Sequence, residues 1–190
     1  VEAHGLKTMS MGYLSSAKTP MVWRGPMASS AMSQLLEKTL WGDIDVLLVD
    51  MPPGTGDIQL TLSQRATLSG AVIVTTPQDI ALLDARKGIE MFQKVEVPVL
   101  GLIENMAAHV CTACGQVEPL FGEAGGQHLA EQYDVPLLGQ IPLDRAIREH
   151  SDQGHPIVLA DPEGPIAVVY QEAALTLMAA LGQQQPAPAP

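Results

Sequence analysis

Short apolar runs separated by helix-length segments are the feature that most constrains how this 190-residue chain folds. Continuous apolar runs of this length are typical of parallel strands that are covered on both faces. The runs lie at residues 46–49, 71–75, 97–103 and 137–141. Helical spacing of apolar residues recurs at 29–40, 57–69, 79–93, 123–133, 143–150 and 163–181. We therefore predict an α/β fold with an open, mostly parallel sheet flanked by helices, in which ligands bind beyond the C-terminal strand ends.

Length and composition predict one folded domain. Hydrophobic residues make up 46% and charged residues 16% of the chain, which excludes a disordered protein. We expect a single domain over residues 1–181, followed by a flexible tail of Gln, Pro and Ala over 182–190. The sequence shows no signal peptide and no uninterrupted apolar run of about 20 residues, so we expect a cytoplasmic chain without a membrane partner.

The formal charge of −11 is unevenly distributed along the chain. Residues 101–190 hold 2 basic and 11 acidic groups, a net charge of −9. An acidic half repels phosphate backbones, which argues against nucleic-acid binding. The only two cysteines are Cys111 and Cys114, which excludes a disulfide-rich secreted scaffold.

The segment from Asp45 to Asp57 carries the first chemical motif. Its apolar run predicts a strand that delivers the carboxylate of Asp50 at its C-terminal end, where a carboxylate can hold a Mg²⁺-bound water. A Pro-Pro pair and a Gly-Thr-Gly turn follow, and the N–H groups of Gly54 and Gly56 can approach a terminal phosphate because no Cβ blocks them. The alternative is an ordinary strand–turn–helix capped by Asp57, but the whole string favours the phosphate site.

The second motif is the Cys111-x-x-Cys114 pair. Two thiolates at this spacing can bind one metal ion or cluster, but a tetrahedral S₄ site or a [4Fe–4S] cluster needs four ligands. A symmetric homodimer would supply two cysteines from each chain. Zinc held together with His109 or His128 is the competing interpretation. A thioredoxin-type redox pair is less favoured, because the residues after Cys114 do not have a helical pattern.

These motifs belong to an ordered set that resembles the Mrp/ApbC family of P-loop ATPases. Members of that family are iron–sulfur cluster carriers related to the MinD and nitrogenase-iron-protein group. The resemblance covers about residues 5–180, and its matching segments are 5–7, 22–27, 45–57, 74–78, 103–106, 111–115, 121–122, 138–144 and 152–156.

The resemblance implies roles for residues at a nucleotide site. Asp50 would face Mg²⁺ and Gly54 the γ-phosphate, with Pro52 and Pro53 in the same switch segment. Asn105 lies where related ATPases bind the adenine edge, although a strand-end cap explains this residue equally well. Pro142 would line the pocket for the base.

The resemblance also implies the function: a carrier that shares a [4Fe–4S] cluster across a homodimer, couples it to ATP binding and hydrolysis with Mg²⁺, and delivers it to apo iron–sulfur proteins. The glycine-lysine Walker A loop of the family does not occur in these 190 residues. We therefore expect a sheet without its first strand–loop–helix unit and an ATPase activity that is negligible for this chain alone. The alternative is a zinc-binding or structural dimerisation module without nucleotide chemistry. A MinD-like membrane role is disfavoured because residues 163–181 contain no Lys or Arg.

Overall fold

A computed structural model describes residues 1–13, 25–52, 57–111 and 113–183. The chain divides into two compact units, Val1–Thr67 and Leu68–Pro190, and each is described by itself. The prediction of one domain over 1–181 stays a prediction.

The described part of the first unit contains two short strands, a 3₁₀ turn and two helices. Strands β1 (Glu2–Ala3) and β2 (Leu6–Lys7) pair antiparallel and are followed by a 3₁₀ turn at Met11–Tyr13. Helices α1 (Gly25–Lys38) and α2 (Asp57–Arg65) contact each other. An exposed ion pair joins the two helices, with Arg65 Nη1 at 3.8 Å from Glu37 Oε1. Such a surface pair contributes little to stability.

The predicted strand at 46–49 is not formed. The residues from 46 to 50 have no regular secondary structure, and Val46, Leu47 and Leu48 are 43%, 41% and 81% exposed. A strand exists only where a neighbouring strand takes up its backbone hydrogen bonds, and no described residue pairs with this run. The apolar pattern is therefore present without the pairing that would make it a strand.

The second unit contains the parallel sheet. Its strands β3 (Ala71–Thr75), β4 (Val99–Asn105) and, later in the chain, Leu137–Ile141 lie in that spatial order. Between β3 and β4 runs α3 (Asp79–Lys94). After β4 come the short strands β5 (His109–Val110) and β6 (Val117–Glu118), which form a hairpin, and then α4 (Gly125–Tyr133). The strand Leu137–Ile141 is β7, and α5 (Arg145–Asp152), α6 (Ile157–Ala160) and α7 (Pro165–Gln183) follow it.

Helices cover both faces of this sheet, so the predicted fold class is confirmed. Helix α3 packs on β3, α4 on β4, and α7 on β7. Adjacent β7 residues point to opposite faces, since Gly139 lies against Val169 of α7 whereas Gln140 bonds to Glu104 near the start of α4. The core between the sheet, α3 and α4 consists of Ile73, Ala85, Ile89, Leu102, Leu129 and Ala130.

Helix α7 has the length and apolar composition of a membrane-spanning segment over Pro165–Gly182. Only 11% of that stretch is buried. Ala167 and Ala173 are buried, whereas Leu175 and Met178 are exposed. Val169 and Ala173 of α7 lie against Gly139 of the sheet.

Candidate functional site: the strand ends and the cysteine hairpin

The C-terminal ends of β4 and β7 bring together Asn105 and Pro142. Asn105 is the last residue of β4 and pairs in register with Ile141, the last residue of β7, so that Pro142 follows directly. The side-chain Oδ1 of Asn105 accepts a hydrogen bond of 2.9 Å from the N–H of Met106. This bond is the strand-end cap that one interpretation of Asn105 requires, and it leaves the amide nitrogen as a donor for a further group.

The chain continues from Asn105 into the hairpin that carries both cysteines. The turn is closed by two backbone bonds of 2.8 Å, from the N–H of Cys111 to the carbonyl of Gln116 and from the N–H of Gly115 to the carbonyl of Cys111. Gly115 has a φ of +75°, a conformation that residues with a Cβ rarely adopt. Cys111 is half-buried and Cys114 is exposed, and both are free thiols.

The environment of Cys111 favours its thiolate form. Hydrogen bonding from the backbone N–H of Ala113, and then from that of Cys114, lowers the pKa of the Cys111 thiol below its ordinary value. The side chain of Cys114 adds to this effect, a small desolvation opposes it, and His109 contributes least. The thiolate is the form that binds metals, so the hydrogen bonds of the hairpin backbone favour Cys111 as a metal ligand.

The hairpin does not bring a third ligand to the two thiols. No group of three or more His, Cys, Asp and Glu side chains able to hold a metal ion occurs within 1–13, 25–52, 57–111 and 113–183. His109 Nδ1 lies 3.2 Å from the carbonyl oxygen of Leu143, and His128 is an exposed residue of α4. The zinc site that would combine the cysteines with either histidine therefore receives no support from the structure.

A cleft of about 460 Å³ separates the cysteine hairpin from the strand ends. Val110 and Val117 of the hairpin form part of one wall, Pro142 lies on another, and Glu104 and Gln140 contribute polar groups. Of the residues predicted to bind a base or a cluster, Pro142 is the one that lines this cleft.

Glu104 is a residue of this region that the sequence patterns did not single out. Its side chain is only 1% exposed, accepts a hydrogen bond of 2.8 Å from Gln140 Nε2, and accepts another from the N–H of Gly126 at the start of α4. A buried carboxylate needs such partners, since an unpaired one would carry a large desolvation cost. The sequence signal that could have identified Glu104 is the presence of a glutamate inside an otherwise apolar strand.

Asp50 and Pro52 lie in the first unit, apart from these residues in sequence. Both are exposed, and the carbonyl oxygen of Pro52 accepts a hydrogen bond of 3.1 Å from Gln59 Nε2. Pro53 and Gly54 lie outside the described residues. The predicted Mg²⁺ and phosphate roles of this segment stay predictions.

Comparison with known proteins shows the family of this chain. The family model described as ParA, NUBPL iron-transfer P-loop NTPase, matches residues 1–178. The chain is 60% identical over 176 residues to an iron-sulfur cluster carrier protein of Pseudomonas fragi, covering 93% of this chain and 61% of that protein. It is 52% identical over 167 residues to the mouse iron-sulfur cluster transfer protein NUBPL, covering 88% of this chain and 52% of the mouse protein.

Solved structures show the same fold. A nucleotide-binding protein from Archaeoglobus fulgidus in complex with ADP matches with a TM-score of 0.62 and 38% identity, covering 72% of this chain and 55% of that one. MinD from Pyrococcus horikoshii, complexed with Mg-ADP, matches with a TM-score of 0.60 over 85% of this chain and 61% of that one; at 24% identity this match supports the fold alone.

The chain spans about half to three fifths of the length of the curated relatives described above. The protein accordingly belongs to the family of NUBPL iron-transfer P-loop NTPases.

Proposed function

We propose that this chain is part of an iron–sulfur cluster carrier that holds a [4Fe–4S] cluster between Cys111 and Cys114 of two copies. The single observation that carries the proposal is a pair of free thiols at the turn of a surface hairpin, with no further ligand group beside them in the described ranges. The relatives named iron-sulfur cluster carrier protein support the same cargo.

The chemistry of the donors fits this cargo. Thiolates are soft ligands that favour iron–sulfur clusters and zinc, and a [4Fe–4S] cluster takes four of them. One chain supplies two, so a two-fold axis through the cluster completes the set. The lowered pKa of Cys111 favours the thiolate form of this ligand, and the exposed Cys114 allows a second copy to approach.

The nucleotide part of the proposal concerns the strand ends and the segment from 50 to 57. Asn105 and Pro142 would contact the base, Asp50 would face Mg²⁺, and Gly54, which follows Pro52 and Pro53, would face the γ-phosphate. ATP binding and hydrolysis would then control the cluster. The Walker A loop that supplies most phosphate contacts in P-loop proteins does not occur in these 190 residues, so we propose that this chain alone hydrolyses ATP negligibly.

The cluster would pass to apo iron–sulfur proteins in the cytoplasm. The acidic charge of residues 101–190 supports a carrier that does not bind nucleic acid. We propose no membrane partner, because α7 lacks the basic groups that interfacial helices use.

Anaerobic incubation with iron and sulfide tests the cluster site. We expect a brown protein with visible absorption, four irons per two chains, and a dimer in sedimentation velocity. Cys111→Ser and Cys114→Ser should each lose the chromophore, whereas His128→Ala on α4 should keep it.

Three other results would contradict parts of the proposal. Stoichiometric zinc in the isolated protein, with no chromophore after reconstitution, would favour the zinc-binding or structural module. A strictly monomeric, colourless protein with both thiols freely alkylated would exclude a shared cluster. A low-micromolar affinity for ATP would contradict the weak ATP binding that we also expect of this chain without the Walker A loop.

A further inference from the structure

We propose that His109 is a positioning residue that fixes the cysteine hairpin to the chain segment after β7. Its hydrogen bond would hold Cys111 and Cys114 in one orientation for their ligand. The consequence for cluster binding rests on the proposed function, whereas the anchoring of the hairpin is a property of this chain alone.

The hairpin has little packing of its own. Its strands β5 and β6 are two residues long, and Val110 and Val117, the apolar pair that faces across them, are 43% and 61% exposed. Residues 113–120 are exposed as well. An isolated two-stranded hairpin is marginally stable in water, so its order depends on what holds its root.

The root is held by hydrogen bonds to residues 141–143. The N–H of Ala107 donates to the carbonyl of Ile141 at 3.0 Å, and the N–H of Leu143 donates to the carbonyl of Ala108 at 2.9 Å. His109 Nδ1 then reaches the carbonyl oxygen of Leu143 at 3.2 Å. This third bond is made by a side chain, and it is the one that lies nearest to Cys111 in sequence.

The identity of the acceptor defines the proton position on His109. A carbonyl oxygen only accepts, so Nδ1 carries the hydrogen, and in the neutral ring Nε2 is left as an acceptor. The imidazole is half-buried and belongs to the first hairpin strand. Losing this bond would let the hairpin pivot about the two backbone bonds at 107 and 108, which would move both sulfur atoms together. Ligand sites tolerate displacements of only about 0.5 Å.

Two substitutions distinguish the effect of the hydrogen bond from the effect of the imidazole ring itself. His109→Asn places an amide N–H donor at the same number of bonds from Cα as Nδ1, whereas His109→Ala removes the donor. Amide hydrogen exchange of residues 110–118 measures the order of the hairpin, and cobalt(II) titration, followed by its thiolate charge-transfer band, measures the thiol site. His128→Ala is the matched control, since it removes an exposed histidine from α4.

We expect His109→Ala to accelerate exchange in the hairpin about fivefold, the equivalent of one hydrogen bond of about 1 kcal/mol. Cobalt(II) affinity should fall in parallel. His109→Asn should restore both properties to nearly the wild-type values, and His128→Ala should change neither.

Several results would overturn the inference. Unchanged hairpin exchange in His109→Ala would show that the bond does not hold the hairpin. Equal loss of cobalt affinity in the Ala and Asn variants would instead make the imidazole a metal ligand. If wild-type protein forms no chromophore with iron and sulfide but His109→Ala still loosens the hairpin and His109→Asn restores it, the proposed function fails and the positioning role stands.

Discussion

The close approach of Glu104 to Gly126 leaves no room for a side chain at position 126. A Cβ on Gly126 would lie 2.8 Å from both the Cβ and Oε2 of Glu104, closer than such atoms approach. Glu104 cannot move away without losing its bonds to Gly126 and Gln140. We expect Gly126→Ala to lower the free energy of unfolding by about 1–3 kcal/mol, measured by urea denaturation.

Gly182 provides the control for that substitution. It lies in α7, and a Cβ there would meet no atom within 4 Å. We expect Gly182→Ala to leave stability unchanged or raise it by up to about 1 kcal/mol. Equal losses in both variants would show that close packing against Glu104 is not the cause.

The thiol of Cys111 should titrate below the ordinary cysteine range of about 8.5. A lowered pKa means that the thiolate is stabilised, so alkylation by iodoacetamide should reach half its maximal rate at a lower pH than in an unstructured peptide. Measurement in Cys114→Ser isolates Cys111 and keeps both backbone donors and a hydroxyl. In urea the midpoint should return to the ordinary value, and an unchanged midpoint would contradict the role of the backbone donors.

Residue spacing alone predicted the cysteine pair as half of a ligand site, because the chemistry of thiolates fixes how many donors are needed. It did not predict Glu104 as a buried residue or His109 as a hairpin anchor. Both depend on partners far along the chain, Gln140 and Leu143 respectively, and the pairing of β4 with β7 brings these together.

At the scale of elements, helix α5 begins next to the chain segment to which the hairpin root is bonded. Its N-cap residue Asp144 accepts a hydrogen bond of 2.7 Å from the N–H of Ala146, directly after the segment that anchors the hairpin. We expect Asp144→Ala to lower the free energy of unfolding by about 0.5–2 kcal/mol, measured by urea denaturation, because the N–H of Ala146 then loses its acceptor.

Asp144→Asn is the informative comparison for that helix. Asparagine caps helices about as well as aspartate, so stability should be nearly that of the wild type. A loss equal to that of the alanine variant would assign the effect to charge rather than to capping.

Apolar runs predicted β3 and β7 with the bounds found, and both strands pair with β4 from their first residue to their last, apart from a register shift at Leu138. The same pattern at 46–49 predicted a strand that is not formed, because composition reports burial tendency and not the presence of a pairing partner. The hairpin strands β5 and β6 escaped prediction because two residues are too few to show a period.

For the whole molecule, charge should control how two copies meet. Residues 95–144 contain seven acidic groups and no Lys or Arg, and Glu118 lies on the hairpin beside the cysteines. In the proposed dimer, hairpins from two copies would therefore repel each other, and salt would screen that repulsion. We expect the dimer to form faster during reconstitution when NaCl rises from about 20 mM to about 500 mM, followed by light scattering.

Charge variants locate the repulsion. Glu118→Gln should reduce the salt dependence of dimer formation, while Glu172→Gln on α7 should leave it unchanged. Equal effects of the two variants would show that net charge, and not the approach of the hairpins, governs assembly.

The unequal exposure of the two thiols has a consequence for release. Cys111 is half-buried and receives backbone hydrogen bonds, whereas Cys114 faces solvent. In the proposed carrier, ligand exchange with a recipient would then be stepwise, with the Cys114 sulfur leaving first and the Cys111 sulfur retaining the cluster until a new donor has bound. A brief chelator pulse followed by alkylation would mark Cys114 before Cys111, and the reverse order would exclude this sequence of events.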